Sequence, residues 1–182
     1  MAPDRFAVKV ESSAGDFVIA VERGWAPLGA DRFYALARAG YYDGSRFFRV
    51  VAGKWVQFGI AGDAALAQAW RGRVISDDAL VQSNRRGFVA FANTGPGTRS
   101  TQIFINLGDN SAQNDREAGF APFGEVVRGM EVVERLYAGY GEASGGGMRA
   151  GGQDGMFAEG NDWLDAHFPQ LDRLIRLSVL DG

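Results

Sequence analysis

The chain has 182 residues, no cysteine and a single histidine, His167. Without thiols there is no disulfide framework and no thiolate metal site, and the redox compartment is left open. One histidine leaves a His-rich metal site without ligands and a His-centred triad without support. No apolar run approaches the ~20 residues of a membrane-spanning helix. The first ten residues, MAPDRFAVKV, contain no apolar core of a signal peptide. The expected compartment is therefore cytoplasmic, with a periplasmic or secreted chain, its signal removed, as the alternative. An excess of basic residues is also missing: 19 Lys and Arg stand against 22 Asp and Glu, a net charge of −3. That argues against a nucleic-acid surface, which needs a basic face. Proline is scarce at 5 residues, whereas 26 glycines and 13 phenylalanines suit many short strands joined by tight turns. The length suits one domain over residues 1–182, large enough to bury about 70% of its unfolded surface.

Phe6, Val8 and Val10 alternate with Ala7, Lys9 and Glu11, and Phe17, Ile19 and Val21 do the same after a turn at residues 12–15. This predicts a hairpin. Pro27 and Gly40 bracket a helix whose apolar stripe is Ala30, Phe33, Leu36 and Ala37. Residues 41–63 read as turn, strand, turn, strand. Residues 62–86 read as polar and irregular, with a short helix at 64–70 and Asp77-Asp78 in a solvated loop. Further strands are expected at 87–92 and 101–107. Another is expected at 121–127, at an edge or bulge because it carries Pro122. Residues 110–119 read as a polar loop, and 129–137 have helical spacing. Residues 139–160 are Gly-rich and read as a mobile loop. Asn161 is expected to cap a short helix ending before Pro169. Ile175, Leu177 and Val179 alternate in a last strand. The pattern implies a mainly β fold, a closed barrel whose open ends are covered by two helices.

Little in the chain supports phosphate, nucleophilic or paired-carboxylate chemistry. The Gly-rich stretch 95–100 lacks the Gly-Lys-Ser/Thr ending of a P-loop, and Pro96 removes an N–H donor. What stands out is Arg49 inside the apolar run 47–51. Arginine is rarely buried unless paired or put to use, although a half-exposed strand pointing it outward also accounts for it. An aromatic set (Phe47, Phe48, Trp55, Phe91, Phe104, Phe120, Phe123) is interleaved with Arg49, Gln57, Asn93 and Gln102. Most of these rings read as core, yet a concave apolar site with a few aimed polar groups is compatible with them.

Several ordered stretches resemble the cyclophilin family of peptidyl-prolyl cis–trans isomerases. They are Phe47-Phe48-Arg49-Val50-Val51 with Gly53, Gln57 and Gly62-Asp63; Phe91-Ala92-Asn93-Thr94-Gly95-Pro96; Thr101-Gln102-Ile103-Phe104-Ile105; and Phe123-Gly124-Glu125-Val126-Val127 with Gly129-Met130. The likeness runs from about Phe6 to Tyr137 and is strongest to a bacterial subgroup. It implies a closed eight-stranded antiparallel β-barrel capped by two α-helices, with the site on the outer barrel face. By this resemblance Arg49 is the catalytic cation and Gln57 its support. Phe104 grips the proline ring, and Ala92, Asn93 and Gln102 contact the substrate backbone.

The sequence also departs from the family pattern. Lys54 stands where a pocket phenylalanine is usual, Trp55 takes the next pocket position, and Phe120 replaces a histidine. Residues 110–118 offer no leucine for the far wall and no tryptophan of the kind used by cyclosporin-sensitive members. Lys54 is expected to turn its ammonium outward along its stem, with Trp55 closing the pocket. The expected activity is isomerisation of Xaa–Pro bonds in peptides and in folded or unfolded client proteins. The expected protein is a monomer that needs no cofactor or metal, contacts neither nucleic acid nor membrane, and binds cyclosporin weakly. Lys54 also motivates a different reading, a proline-peptide binding or chaperone module with little catalysis. A carbohydrate-binding barrel would need an exposed aromatic stripe and no use for Arg49.

Overall fold

Alternation in the first 22 residues becomes a hairpin because every second side chain is apolar. In the computed structural model, which describes residues 1–116, 120–145 and 152–180, β1 (Arg5–Ser12) pairs antiparallel with β2 (Gly15–Glu22). Val8 faces Ile19 and Val10 faces Phe17, all buried. Each such side chain contributes roughly 1.5–3 kcal/mol on leaving water. After a 3-10 turn at Arg23–Trp25 comes α1 (Pro27–Arg38), which buries the expected stripe of Ala30, Phe33, Leu36 and Ala37. Its C-terminus is closed by the Gly40 N–H to the Ala37 carbonyl and the Tyr41 N–H to the Leu36 carbonyl, with Gly40 at φ +68°. This paired closure favours glycine at the left-handed position.

The remaining elements are β3 (Arg49–Val51), β4 (Trp55–Phe58), α2 (Ala64–Arg71), β5 (Phe88–Phe91), β6 (Ile103–Asn106), α3 (Ser111–Asn114), β7 (Gly124–Arg128), α4 (Met130–Glu134), α5 (Asp154–Glu159), α6 (Asn161–His167) and β8 (Leu174–Leu180). The eight strands form one antiparallel sheet in the order β3-β4-β6-β5-β7-β2-β1-β8. It curls around a core rich in aromatic rings, with Phe33 against Phe123, Phe123 against Phe91, and Phe47 against both Phe17 and Phe58. α1 lies against β8 and α4 against β2, while α2, α5 and α6 pack on one another in series.

Several expectations are corrected. The barrel is not closed by a ladder: β3 and β8 end the strand order. Residues 44–47 span the gap through one bridge, Arg46 to Arg173, and short backbone bonds such as Leu174 N–H to the Ser45 carbonyl at 2.9 Å. β3 is only three residues long, and residues 45–48 before it carry the isolated bridge of Arg46 and no ladder, so among the described residues no strand zips the seam. Six α-helices are present among the described residues; α1, α2, α4 and α6 fall where helices were expected, whereas α3 and α5 lie in segments read as loops. Pro122 lies outside β7, which is an inner strand between β5 and β2. In β8 the register against β1 slips between Glu11 and Ser12, leaving Ile175 unpaired and 55% exposed while Leu174 and Leu177 are both buried. Such a bulge breaks the alternation that the sequence displays. Asn161 does not cap α6; its side chain donates to the Gly44 carbonyl at 2.7 Å.

Asp77-Asp78 is not a solvated loop. The Asp78 side chain is 3% exposed and takes the Leu28 and Gly29 N–H groups at the start of α1, at 3.0 and 2.9 Å. The guanidinium of Arg99, fully buried, donates to the same carboxylate at 3.0 Å. A helix N-terminus plus a cation is a strong reason for a carboxylate to accept burial. The Gly-rich stretch is likewise more than a solvent loop. α5 occupies 154–159, and residues 141–145 run beside β3: Gly141 bridges Val50 and the Ser144 hydroxyl donates to the Phe48 carbonyl. The part of that expectation concerning residues 146–151 lies outside the described residues.

Candidate active site

Strand register builds the site. Arg49 pairs with Gln57, Gln57 with Phe104, and Phe104 with Ala90, so these four side chains form one row across β3, β4, β6 and β5. Val50, Val56, Ile105 and Val89 form the adjacent row and are all in the main core. Because successive side chains alternate between faces, the first row stands on the outer face. Trp55 and Gln102 lie two positions from Gln57 and Phe104, and Ala92 two from Ala90, so they share it. There Ala90, Ala92 and Phe104 make a small apolar cluster separate from the core, with Trp55 and Phe120 packed against it. The Phe120 ring meets Phe104 edge-on at 5.6 Å between centroids. The Arg49 backbone lies two strand spacings from that of Phe104, about 10 Å.

The polar half of the site is a hydrogen-bonded chain. Arg49 Nη1 donates to Gln57 Oε1 at 2.8 Å, and Gln57 Nε2 donates to Gln102 Oε1 at 2.8 Å. Gln102 Nε2 donates to Gln153 Oε1 at 2.9 Å, and Gln153 Nε2 returns to Gln102 Oε1 at 3.2 Å. All three glutamines are buried. On its other edge Arg49 meets Glu142, with Nε at 2.7 Å and Nη2 at 2.8 Å from the two carboxylate oxygens. A guanidinium has five N–H donors; three are engaged here, and among the described residues Nη1 and Nη2 each keep one. The guanidinium carbon sits 5.0 Å from the Trp55 ring centre.

The sequence-selected residues are thus largely brought together. Lys54 is exposed, its ammonium nitrogen 5.8 Å from the Trp55 ring, so its charge stays in water as its chemistry requires. The Trp55 indole N–H is buried and has no hydrogen-bond partner among the described residues. Asn93 begins the loop after Ala92 and accepts the Gly95 N–H at 3.1 Å, and the Ala92 N–H is used by the Gln102 carbonyl at 2.9 Å. Glu142 and Gln153 escaped the sequence reading. Both lie within the Gly-rich stretch, and an acid or amide in such a run is a faint signal until the neighbouring strand is known. The far-wall positions expected within 110–118 are described only to residue 116.

A family model described as cyclophilin type peptidyl-prolyl cis-trans isomerase/CLD matches residues 6–147. Peptidyl-prolyl cis-trans isomerase A of Dickeya dadantii is 33% identical over 132 residues, covering 71% of this chain and 70% of that protein. The peptidyl-prolyl cis-trans isomerase of Acinetobacter baylyi is 30% identical over 132 residues, with the same two shares. Among solved structures, a cyclophilin type peptidyl-prolyl cis-trans isomerase of Cryptosporidium parvum superposes with a TM-score of 0.71 at 18% identity, covering 98% of this chain and 99% of that one. The same Cryptosporidium protein in the presence of the dipeptide ala-pro gives 0.68 at 19% identity, covering 97% and 99%.

Proposed function

The chain belongs to the cyclophilin-type peptidyl-prolyl cis–trans isomerases, and from that premise we propose that Arg49 is the group that eases rotation about the Xaa–Pro bond. The substrates are peptides and protein clients containing proline, with the pyrrolidine ring held in the slot of Phe104, Trp55 and Phe120. The supporting observation is the single outer-face row that carries Arg49, Gln57 and Phe104 side by side.

The barrier to be lowered is about 18–20 kcal/mol and comes from amide resonance. No covalent bond changes. As the bond twists, the prolyl nitrogen regains its lone pair, and a cation donating a hydrogen bond to it stabilises the twisted state more than either planar one. Arginine stays charged under all relevant conditions, and the N–H groups left on Nη1 and Nη2 face this task while Gln57 holds the plane. Each 1.4 kcal/mol of such selective stabilisation is about tenfold in rate.

The network also defines what Gln102 offers a peptide. Its carbonyl oxygen already accepts two bonds, from Gln57 and Gln153, which uses both lone pairs. Among the described residues one amide N–H remains unengaged, so Gln102 donates it to a substrate carbonyl. Ala92 and Asn93 line the neighbouring strand end and hold the peptide backbone on that side. A protease-free assay of a proline peptide, following cis–trans exchange by NMR, tests the reading. Arg49→Ala is expected to abolish most of the acceleration while the peptide still binds; full activity in that variant rules the mechanism out.

A further inference from the structure

Both ends of the polar row are held by one stretch of chain. Starting from Glu142, the bonds run to Arg49, Gln57, Gln102 and back to Gln153, eleven positions further along the sequence. The stretch that delivers Glu142 is fixed to β3 by backbone and by packing. Gly141 bridges Val50, and a Cβ added at Gly145 would come within 2.5 Å of the Phe48 ring. Glu142 therefore meets Arg49 from a supported backbone.

We infer that Glu142 is a positioning residue of the isomerase, a carboxylate that grips the Nε–Nη2 edge of Arg49 and so aims its remaining N–H groups at the prolyl nitrogen. This rests on the reading of Arg49 as the catalytic cation. A guanidinium on a flexible four-bond stem can rotate about its last torsions, and a single bond from Gln57 leaves the plane free to swing about that contact. A bidentate carboxylate on the opposite edge removes that freedom. The two anchors together hold three of the five N–H groups and fix which two stay available. Such ordering is made before the substrate arrives, so it favours the transition state without strengthening ground-state binding.

The opposite reading is that the carboxylate competes with substrate for the cation and restrains the enzyme. The two predict reversed orders of activity. Glu142 is 53% exposed, so its replacement does not threaten the fold, and unchanged unfolding midpoints verify this. For positioning, Glu142→Gln, which keeps one acceptor, is expected to fall between wild type and Glu142→Ala. The alanine variant is expected to lose about tenfold in kcat with KM nearly unchanged, the signature of an interaction used only in the transition state. In an Arg49→Ala background the Glu142→Ala change is expected to add nothing, because its effect passes through Arg49. Activity equal to or above wild type in Glu142→Ala overturns the inference, as does a further loss in the Arg49→Ala background. Should Arg49→Ala itself keep full activity, the catalytic reading fails instead, and the two failures are told apart in one set of assays.

Discussion

The buried pair of Asp78 and Arg99 gives an asymmetric prediction. Asp78 accepts three hydrogen bonds: the Leu28 and Gly29 N–H groups of α1 and Arg99 Nη2. Asp78→Ala removes a helix cap, a loss of about 1 kcal/mol, and leaves a fully buried cation with the Ser76 carbonyl and a loose contact to Asp77 at 3.6 Å in place of its close carboxylate. Removing one partner of a buried pair costs about 3–5 kcal/mol, and because the two effects share the same oxygens we expect about 4 kcal/mol in all. Arg99→Met should cost much less. Arg99 is incompletely satisfied already: its Nε lies 3.6 Å from Asp77 Oδ1, and Nη1 has no hydrogen-bond partner among the described residues. Once the guanidinium is gone, Asp78 still holds two N–H groups at the positive end of a helix. Methionine also fills most of the volume, so the expected cost is about 1–2 kcal/mol. Urea unfolding with a constant m-value measures both. If Arg99→Met is as destabilising as Asp78→Ala, the claim that the helix N-terminus supports the carboxylate is wrong.

Gln57→Leu keeps approximate shape but deletes the bond to Arg49, a charge-assisted contact worth about 1.5–3 kcal/mol. Exchange NMR should show kcat/KM lower by about tenfold or more, and an unchanged value contradicts the supporting role. The Arg23 guanidinium bound to Asp31 holds that carboxyl below the usual range, assisted by the Ala2 N–H. A depressed folded pKa means that the contribution is present above about pH 4, the unfolded value. It is lost as pH falls through the folded value. Asp31→Asn should therefore lower the unfolding midpoint at neutral pH, with the gap to wild type shrinking in acid; a gap constant across that range refutes the assignment. A titration with cyclosporin is expected to show weak binding, since the sequence of residues 110–118 contains no tryptophan, and tight binding sinks that expectation.

Local patterns carried much of the fold into view. The hairpin from Phe6 to Val21 and the helix between Pro27 and Gly40 follow from periodicity and end signals over short spans, where neighbours in sequence are neighbours in space. Arg49, Gln57 and Phe104 were legible one by one, through the lone charge in an apolar run and the family likeness, whereas their standing in one row follows from strand register that the sequence does not display. The hidden features depend on contacts between distant parts of the chain. Arg49 and Glu142 are 93 positions apart, Gln102 and Gln153 51, and Gly29 and Asp78 49. No period or turn signal encodes such a meeting. The bulge at Ile175 escaped for a related reason: the alternation in Ile175, Leu177 and Val179 is real in the sequence, but the partner strand, not the strand itself, decides the register.

The polar row has a direction that follows from arginine alone. Arginine can only donate, so Gln57 must turn its carbonyl oxygen toward Arg49 and its amide nitrogen toward Gln102. Gln102 must then offer an oxygen to Gln57, which leaves its nitrogen for Gln153. One permanent cation thus sets the orientation of three buried amides that would otherwise each have two states. Replacing Arg49 by a neutral side chain releases that choice at Gln102. In the proposed mechanism the Gln102 amide then no longer has a fixed atom for the substrate carbonyl, so peptide binding weakens without being lost while the acceleration falls.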